Sequence, residues 1–188
     1  MRRFVGTLLR GVRAGEKHLA YNDPAAANAP LSLVISSSSF EFGGTIPRKH
    51  AGPGEGENIS PELSWMGVPP ETAELVLIVE DPDAPLPRPF VHALATGIPP
   101  GTLTLAEGRL SETNTPGDGL SMGKNTFGKT TYGGPRPVPG HGPHTYVFQL
   151  FAIDKHLAFE GVPSRADVLR QMEGAVIARG RIEGTYER

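Results

Sequence analysis

A chain of 188 residues with 38% hydrophobic and 20% charged side chains suits one soluble globular domain with a sizeable core, and excludes a second domain of comparable size. The 18 basic and 20 acidic residues give a formal net charge of −2, which excludes a global electrostatic pull toward nucleic acid or an anionic membrane. The lack of cysteine excludes disulfides, thiol chemistry and thiolate metal sites.

The N-terminus, MRRFVGTLLRGVRAG, predicts a short amphipathic helix over residues 2–14. Phe4, Val5, Leu8, Leu9 and Val12 share one face, with Arg2, Arg3, Arg10 and Arg13 around it. Arg10 and Arg13 interrupt the apolar stretch and no small-residue cleavage site follows, so no signal peptide is expected. No run approaches the ~20 apolar residues of a membrane span, and the cytoplasm is the expected location. The helix is expected to bury Phe4, Leu8 and Val12 against protein rather than lipid. With the connector NDPAAANAP it forms an N-terminal unit, residues 1–30, ahead of one domain spanning 31–188.

From residue 31 the texture changes to strands between turns, in keeping with 24 glycines and 19 prolines that follow no repeat. LSLVIS (31–36), AELVLIVE (73–80), FVHALAT (90–96) and TYVFQLFAI (145–153) are apolar runs of strand length bounded by Pro, Gly or Asp. Two of them are apolar on both faces, as in a buried sheet of a sandwich. Ser164 with Asp167 predicts a capped helix whose inward face is Val168, Leu169 and Met172, and ARGRIEGTY (178–186) predicts a last strand.

Residues 123–130, GKNTFGKT, satisfy the phosphate-loop pattern G-x-x-x-x-G-K-[ST]. That loop needs a buried strand before it and a helix after it, whose amides and dipole hold the phosphates. SETNTPGDGLSM precedes it without a buried strand, and the glycines and prolines of TYGGPRPVPG forbid a helix behind it. The match is therefore read as fortuitous. GLSMG (119–123) matches the G-x-S-x-G hydrolase elbow and fails for the same reason.

The chemistry-bearing residues lie elsewhere. In IVEDPDAP (78–85) a buried strand ends at Asp81, and Pro82 and Pro85 stiffen the exit, placing Asp81 and Asp83 where a sheet opens into a loop. His92 follows in an apolar strand. His144 and Tyr146, two apart at a strand start, point to one face. Each has a plainer reading as a turn, packing or rim residue. Two carboxylates and two imidazoles (Asp81, Asp83, His92, His144) also suit a divalent ion, so a metal-dependent hydrolase is the alternative.

The strings NISPELSW (58–65), DPDAP (81–85), FVHAL, NTFGKTTYGGPRP…GHGPHTYVFQLFAID (125–154) and MEGAVIARGRIEGTY (172–186) resemble, in order and spacing, the phosphatidylethanolamine-binding protein (Raf kinase inhibitor protein) family, in its bacterial and archaeal branch. The resemblance implies a mainly β fold, an antiparallel Greek-key β-sandwich with a few short helices and a small anion pocket at one end. By position it implies ligand-binding residues Asp81, His92, Gly134, Pro135, His144 and Tyr146, with Asp83, Ala84 and Pro85 shaping the rim. It implies a non-enzymatic protein that binds phosphate-like groups or phospholipid headgroups, without cofactor or metal, as a homodimer that regulates partner proteins. The imidazoles, the phenol and the Gly134 amide are the expected anion donors, and Asp81 is expected to orient a histidine. The chain departs from the family pattern at Phe90, Val91 and Ala93 around His92, at Arg136-Pro137-Val138, and at Ala175.

Overall fold

A computed structural model describes residues 2–111 and 119–188, with side chains from Gly6 onward. The side chains of Phe4 and Val5, and residues 112–118 of the stretch before the phosphate-loop match, lie outside it. In chain order the elements are α1 (Arg2–Leu9), β1 (Val34–Ser36), β2 (Leu63–Met66), β3 (Glu74–Asp81), β4 (Phe90–Ile98), β5 (Thr104–Leu105), β6 (Ser121–Met122), β7 (His144–Ile153), α2 (Arg165–Met172) and β8 (Val176–Tyr186).

Two antiparallel sheets pack face to face. The smaller runs β1-β2-β5 and the larger β6-β4-β3-β7-β8, so the chain moves repeatedly between sheets, as Greek-key connections require. β3 takes the central place because its side chains, which point alternately to the two faces of the sheet, are all buried. Leu75, Leu77 and Val79 meet Ile35, Leu63 and Trp65 between the sheets. Val76 and Ile78 point the other way, onto Val168, Leu169 and Met172 of α2. Each such side chain, fully buried, contributes about 1.5–3 kcal/mol. The cap of α2 is a reciprocal capping box between Ser164 and Asp167, as its sequence predicts.

Three expectations shift in detail. The 31–36 run forms a strand only over its last half, because Leu33 instead takes a backbone bond from its amide to Arg179 O at 3.3 Å, along β8. A two-residue strand, β6, stands just before the phosphate-loop match. The N-terminal helix ends at Leu9, and Leu8 (70%) and Val12 (48%) remain exposed in the single chain. On its own chain the segment docks through Gly6 and its backbone. A Cβ on Gly6 would stand 2.2 Å from Pro139 O, so only glycine allows this approach. Arg10 Nε donates to Gly140 O at 2.9 Å, and the amides of Ala14 and Gly15 donate to Ala84 O and Pro82 O at 3.0 and 2.8 Å. The strap thereby crosses the two loops that border the candidate site.

Candidate functional site

Asp81 is the last residue of β3, His92 the third of β4, and His144 and Tyr146 the first and third of β7. Because β3 pairs with both neighbours, these strand ends open together at one end of the sandwich. They line a cavity of about 360 Å³, shared with Ala84, Pro85, Leu86, Phe90, Phe127, Gly134, Arg136, Pro137 and Val138. The walls are mostly apolar, with polar atoms from few residues, the usual composition of a small-ligand site. A larger groove of about 640 Å³, beside Arg88, Lys124 and the start of α2, contains none of the predicted site residues and no buried polar atom without a partner.

Asp81 is held at both oxygens. Oδ1 accepts the Asp83 amide at 2.8 Å, and Oδ2 lies 2.7 Å from His144 Nδ1. His144 Nε2 lies 2.7 Å from His141 Nδ1, and His141 Nε2–H donates to Leu9 O at 2.7 Å. Asp83 turns away from the cavity, where Oδ2 accepts the Thr145 amide at 2.6 Å and Oδ1 pairs with Arg13.

His92 is different. Its Nδ1–H donates to Gly133 O, and its Nε2 is buried without a partner. Burial pushes this imidazole below its ordinary pKa, against the opposing pull of the Asp81 charge and the Gly133 carbonyl. It is therefore neutral with the proton on Nδ1, and Nε2 presents a lone pair. The Tyr146 ring meets His92 edge-on at 5.0 Å, and its hydroxyl is buried and also unpartnered. Burial first, and the Asp81 charge second, push this phenol well above its ordinary pKa, so it stays protonated. The Arg136 amide lies close enough to oppose that shift but outside hydrogen-bond geometry.

The structure thus brings Asp81, His92, Gly134, His144 and Tyr146 to one cavity, with Ala84 and Pro85 at its edge, and corrects several roles. Pro135 is buried and does not line the cavity, and neither does Asp83. The Gly134 amide is not free for an anion, because it donates to Asn58 Oδ1 at 2.8 Å. Gly134 is required for close approach, since a Cβ there would stand 2.1 Å from His50 O. His144 has no free nitrogen, and His92 offers an acceptor rather than a donor. Among the described residues no group of three or more His, Asp or Glu side chains is arranged to hold a metal ion.

Residues 123–130 form a turn rather than a phosphate cradle. The amides of Phe127 and Lys129 are taken by Asn125 Oδ1 at 2.9 and 3.0 Å, and no helix follows. The turn nevertheless supplies Phe127, which packs edge-on against Phe90 at 4.8 Å and closes one wall. The sequence reading passes over Phe127, His141 and Asn58. Asn58 is the one described non-glycine residue with positive φ (59°), and its side chain holds the 132–134 segment through Tyr132 O and Gly134 N. For His141 a signal existed, a second histidine three residues before His144 across a Gly-Pro turn.

A family model for phosphatidylethanolamine-binding proteins matches residues 36–187. Similar curated proteins include a UPF0098 protein of Methanothermobacter thermautotrophicus, 40% identical over 83% of this chain and 99% of its own length. A fungal "phomoidride biosynthesis cluster protein B" is 30% identical over 97% of this chain and 92% of its own, and so extends into the N-terminal region. Among solved structures, Escherichia coli YbcL superposes with a TM-score of 0.76 at 31% identity, covering 84% of this chain and 99% of that one. A phosphatidylethanolamine-binding protein homologue from Chlamydia trachomatis gives 0.74 at 34% identity, covering 84% and 98%. The two-sheet architecture and these matches agree, and the chain belongs to the phosphatidylethanolamine-binding protein family.

Proposed function

We propose that the protein binds, without turning over, a phosphate-bearing ligand, either free phosphate or a phospholipid headgroup. The observation that carries this reading is the pair of buried polar atoms without partners, His92 Nε2 and Tyr146 Oη, on two residues that line one cavity. Buried polar groups left unpaired are costly, and such gaps mark places where a ligand completes the hydrogen bonding. One of the two accepts and the other donates. Inorganic phosphate offers both halves, a P–OH to Nε2 and a second oxygen to the phenol. An ethanolamine headgroup, whose phosphodiester has no P–OH, would offer its ammonium to Nε2 and a phosphate oxygen to the phenol. Arg136 in the lining adds a positive charge. The family's name supports a phosphate borne by phosphatidylethanolamine. Binding without turnover is supported by the site's own bonds, because Asp81 and His144 are each committed on both sides.

Calorimetry with inorganic phosphate tests the reading. Affinity should rise as pH falls from about 8 toward 6, because inorganic phosphate, which carries one P–OH across this range, gains a second and presents Nε2 with a donor more readily. Co-sedimentation with phosphatidylethanolamine vesicles, against phosphatidylcholine vesicles, separates a lipid-borne from a free phosphate. A flat pH profile, together with unchanged phosphate affinity in His92→Ala, would remove this cavity as the site.

A further inference from the structure

The bonds behind the cavity wall make a chain with an acceptor at each end, Leu9 O at one and Asp81 Oδ2 at the other, with two imidazoles between. A carbonyl only accepts, so His141 Nε2 must carry a proton. The His141–His144 link needs a second, and the His144–Asp81 link a third. Two neutral imidazoles bring only two. From this count we infer that the N-terminal strap makes the chain hold one additional proton, and that the resulting imidazolium cancels the Asp81 charge beside the ligand cavity. His141 is then a positioning residue, acting on the ligand through His144.

Leu9 is what makes the difference. Without its carbonyl, His141 can move its single proton to Nδ1, two protons then serve both remaining links, and Asp81 is left uncompensated. The location favours the charged state, because Leu9 is the last residue of α1 and a helix C-terminus attracts a cation. The same carbonyl also accepts the Val12 amide at 2.8 Å, using its second lone pair. The charged and titratable neighbours are Asp83 with its partner Arg13, Arg10 on the 140 loop, His92 and Tyr146 across the cavity, and Arg136 in its lining. The family match begins at residue 36, so the strap lies outside the region that the family model covers.

The inference rests on the phosphate reading only for its effect on binding, and the proton count is read separately. Ring 15N NMR of the full-length protein should show three protons on the four ring nitrogens of His141 and His144 at neutral pH. Gly6→Val, which wedges the strap off the 139–141 loop, should leave two protons on the four nitrogens, and His141→Phe one proton on the two nitrogens of His144, so that each variant loses the imidazolium charge. Both should also bind inorganic phosphate roughly tenfold more weakly, the scale of one uncompensated charge near a ligand. His141→Gln is the control for shape: its amide can accept from His144 and donate to Leu9, so His144 stays doubly protonated and affinity is retained. Two protons in the wild type overturn the inference, as does a Gly6→Val protein that keeps both the third proton and the affinity. Three protons with no phosphate binding would support the relay and reject the ligand reading.

Discussion

Glu80 and Asp81 are adjacent acids on one strand, and the pleat sends them to opposite faces of the sheet. Glu80, toward α2, is fully buried and completely paired. Oε1 accepts from Arg165 Nε at 2.5 Å, and Oε2 accepts from the Ala20 amide at 2.7 Å and Gln149 Nε2 at 2.9 Å. One carboxylate thereby joins the N-terminal connector, β7 and α2. Asp81, toward the cavity, is also paired, yet His92 Nε2 and Tyr146 Oη beside it have no partner. One neighbourhood satisfies every polar atom within the chain. The other leaves two open, and that difference separates a structural hub from a site.

The comparison breaks most sharply at the hub. Glu80→Ala leaves the buried Ala20 amide unpaired and takes a bond from each of Gln149 Nε2 and the half-buried Arg165 guanidinium, and should cost about 3 kcal/mol of stability in urea unfolding. Phosphate binding by the remaining folded protein should be unchanged. At the site the signs should diverge. Tyr146→Phe deletes an unsatisfied buried hydroxyl, so the fold should be as stable or more stable, while phosphate affinity drops by about 1 kcal/mol, roughly fivefold. A mutant that loses both together would place Tyr146 with the hub residues.

A further effect comes with pH. Burial depresses His92 in the folded state, as it does His50, whose Nε2 is likewise buried without a partner. Above the unfolded imidazole value of about 6.5 both states are neutral and full stability is present. As pH falls below it the unfolded chain takes up protons that the folded chain resists, so stability declines, by up to about 1.4 kcal/mol per pH unit for each histidine. Thermal melts of wild type and His50→Gln between pH 8 and 5 check this, the variant showing the shallower decline. The smallest change is Lys129→Ala, in the phosphate-loop match. Its exposed side chain carries none of the turn's bonds, so stability should move by less than about 0.5 kcal/mol and phosphate affinity should not move.

The long strands were legible because β3, β4 and β7 are apolar runs of 8–10 residues, for which strand and core coincide. The two-residue strands β5 and β6 were not, since they exist only by pairing with β2 and β4. At the site, the spacing of His144 and Tyr146 placed both on one face, and the matched family strings brought Asp81 and His92 to the same end. Which nitrogen of each histidine would be free was not legible. His141 is turned by a carbonyl 132 residues away, and His92 by the Gly133 carbonyl 41 residues away.

What the sequence by itself determined is therefore the class of fold and the strand ends that meet at the cavity, though not Phe127 in its wall, because alternation, caps and family spacing are local properties of the chain. Its tertiary structure alone decided which bonds those residues make. Asn58 took the Gly134 amide, and His141 took the last nitrogen of His144. Burial left His92 with a lone pair where a donor was expected. Protonation and hydrogen-bond direction follow from partners that are distant in sequence and meet only when the sheets and the N-terminal strap close around them.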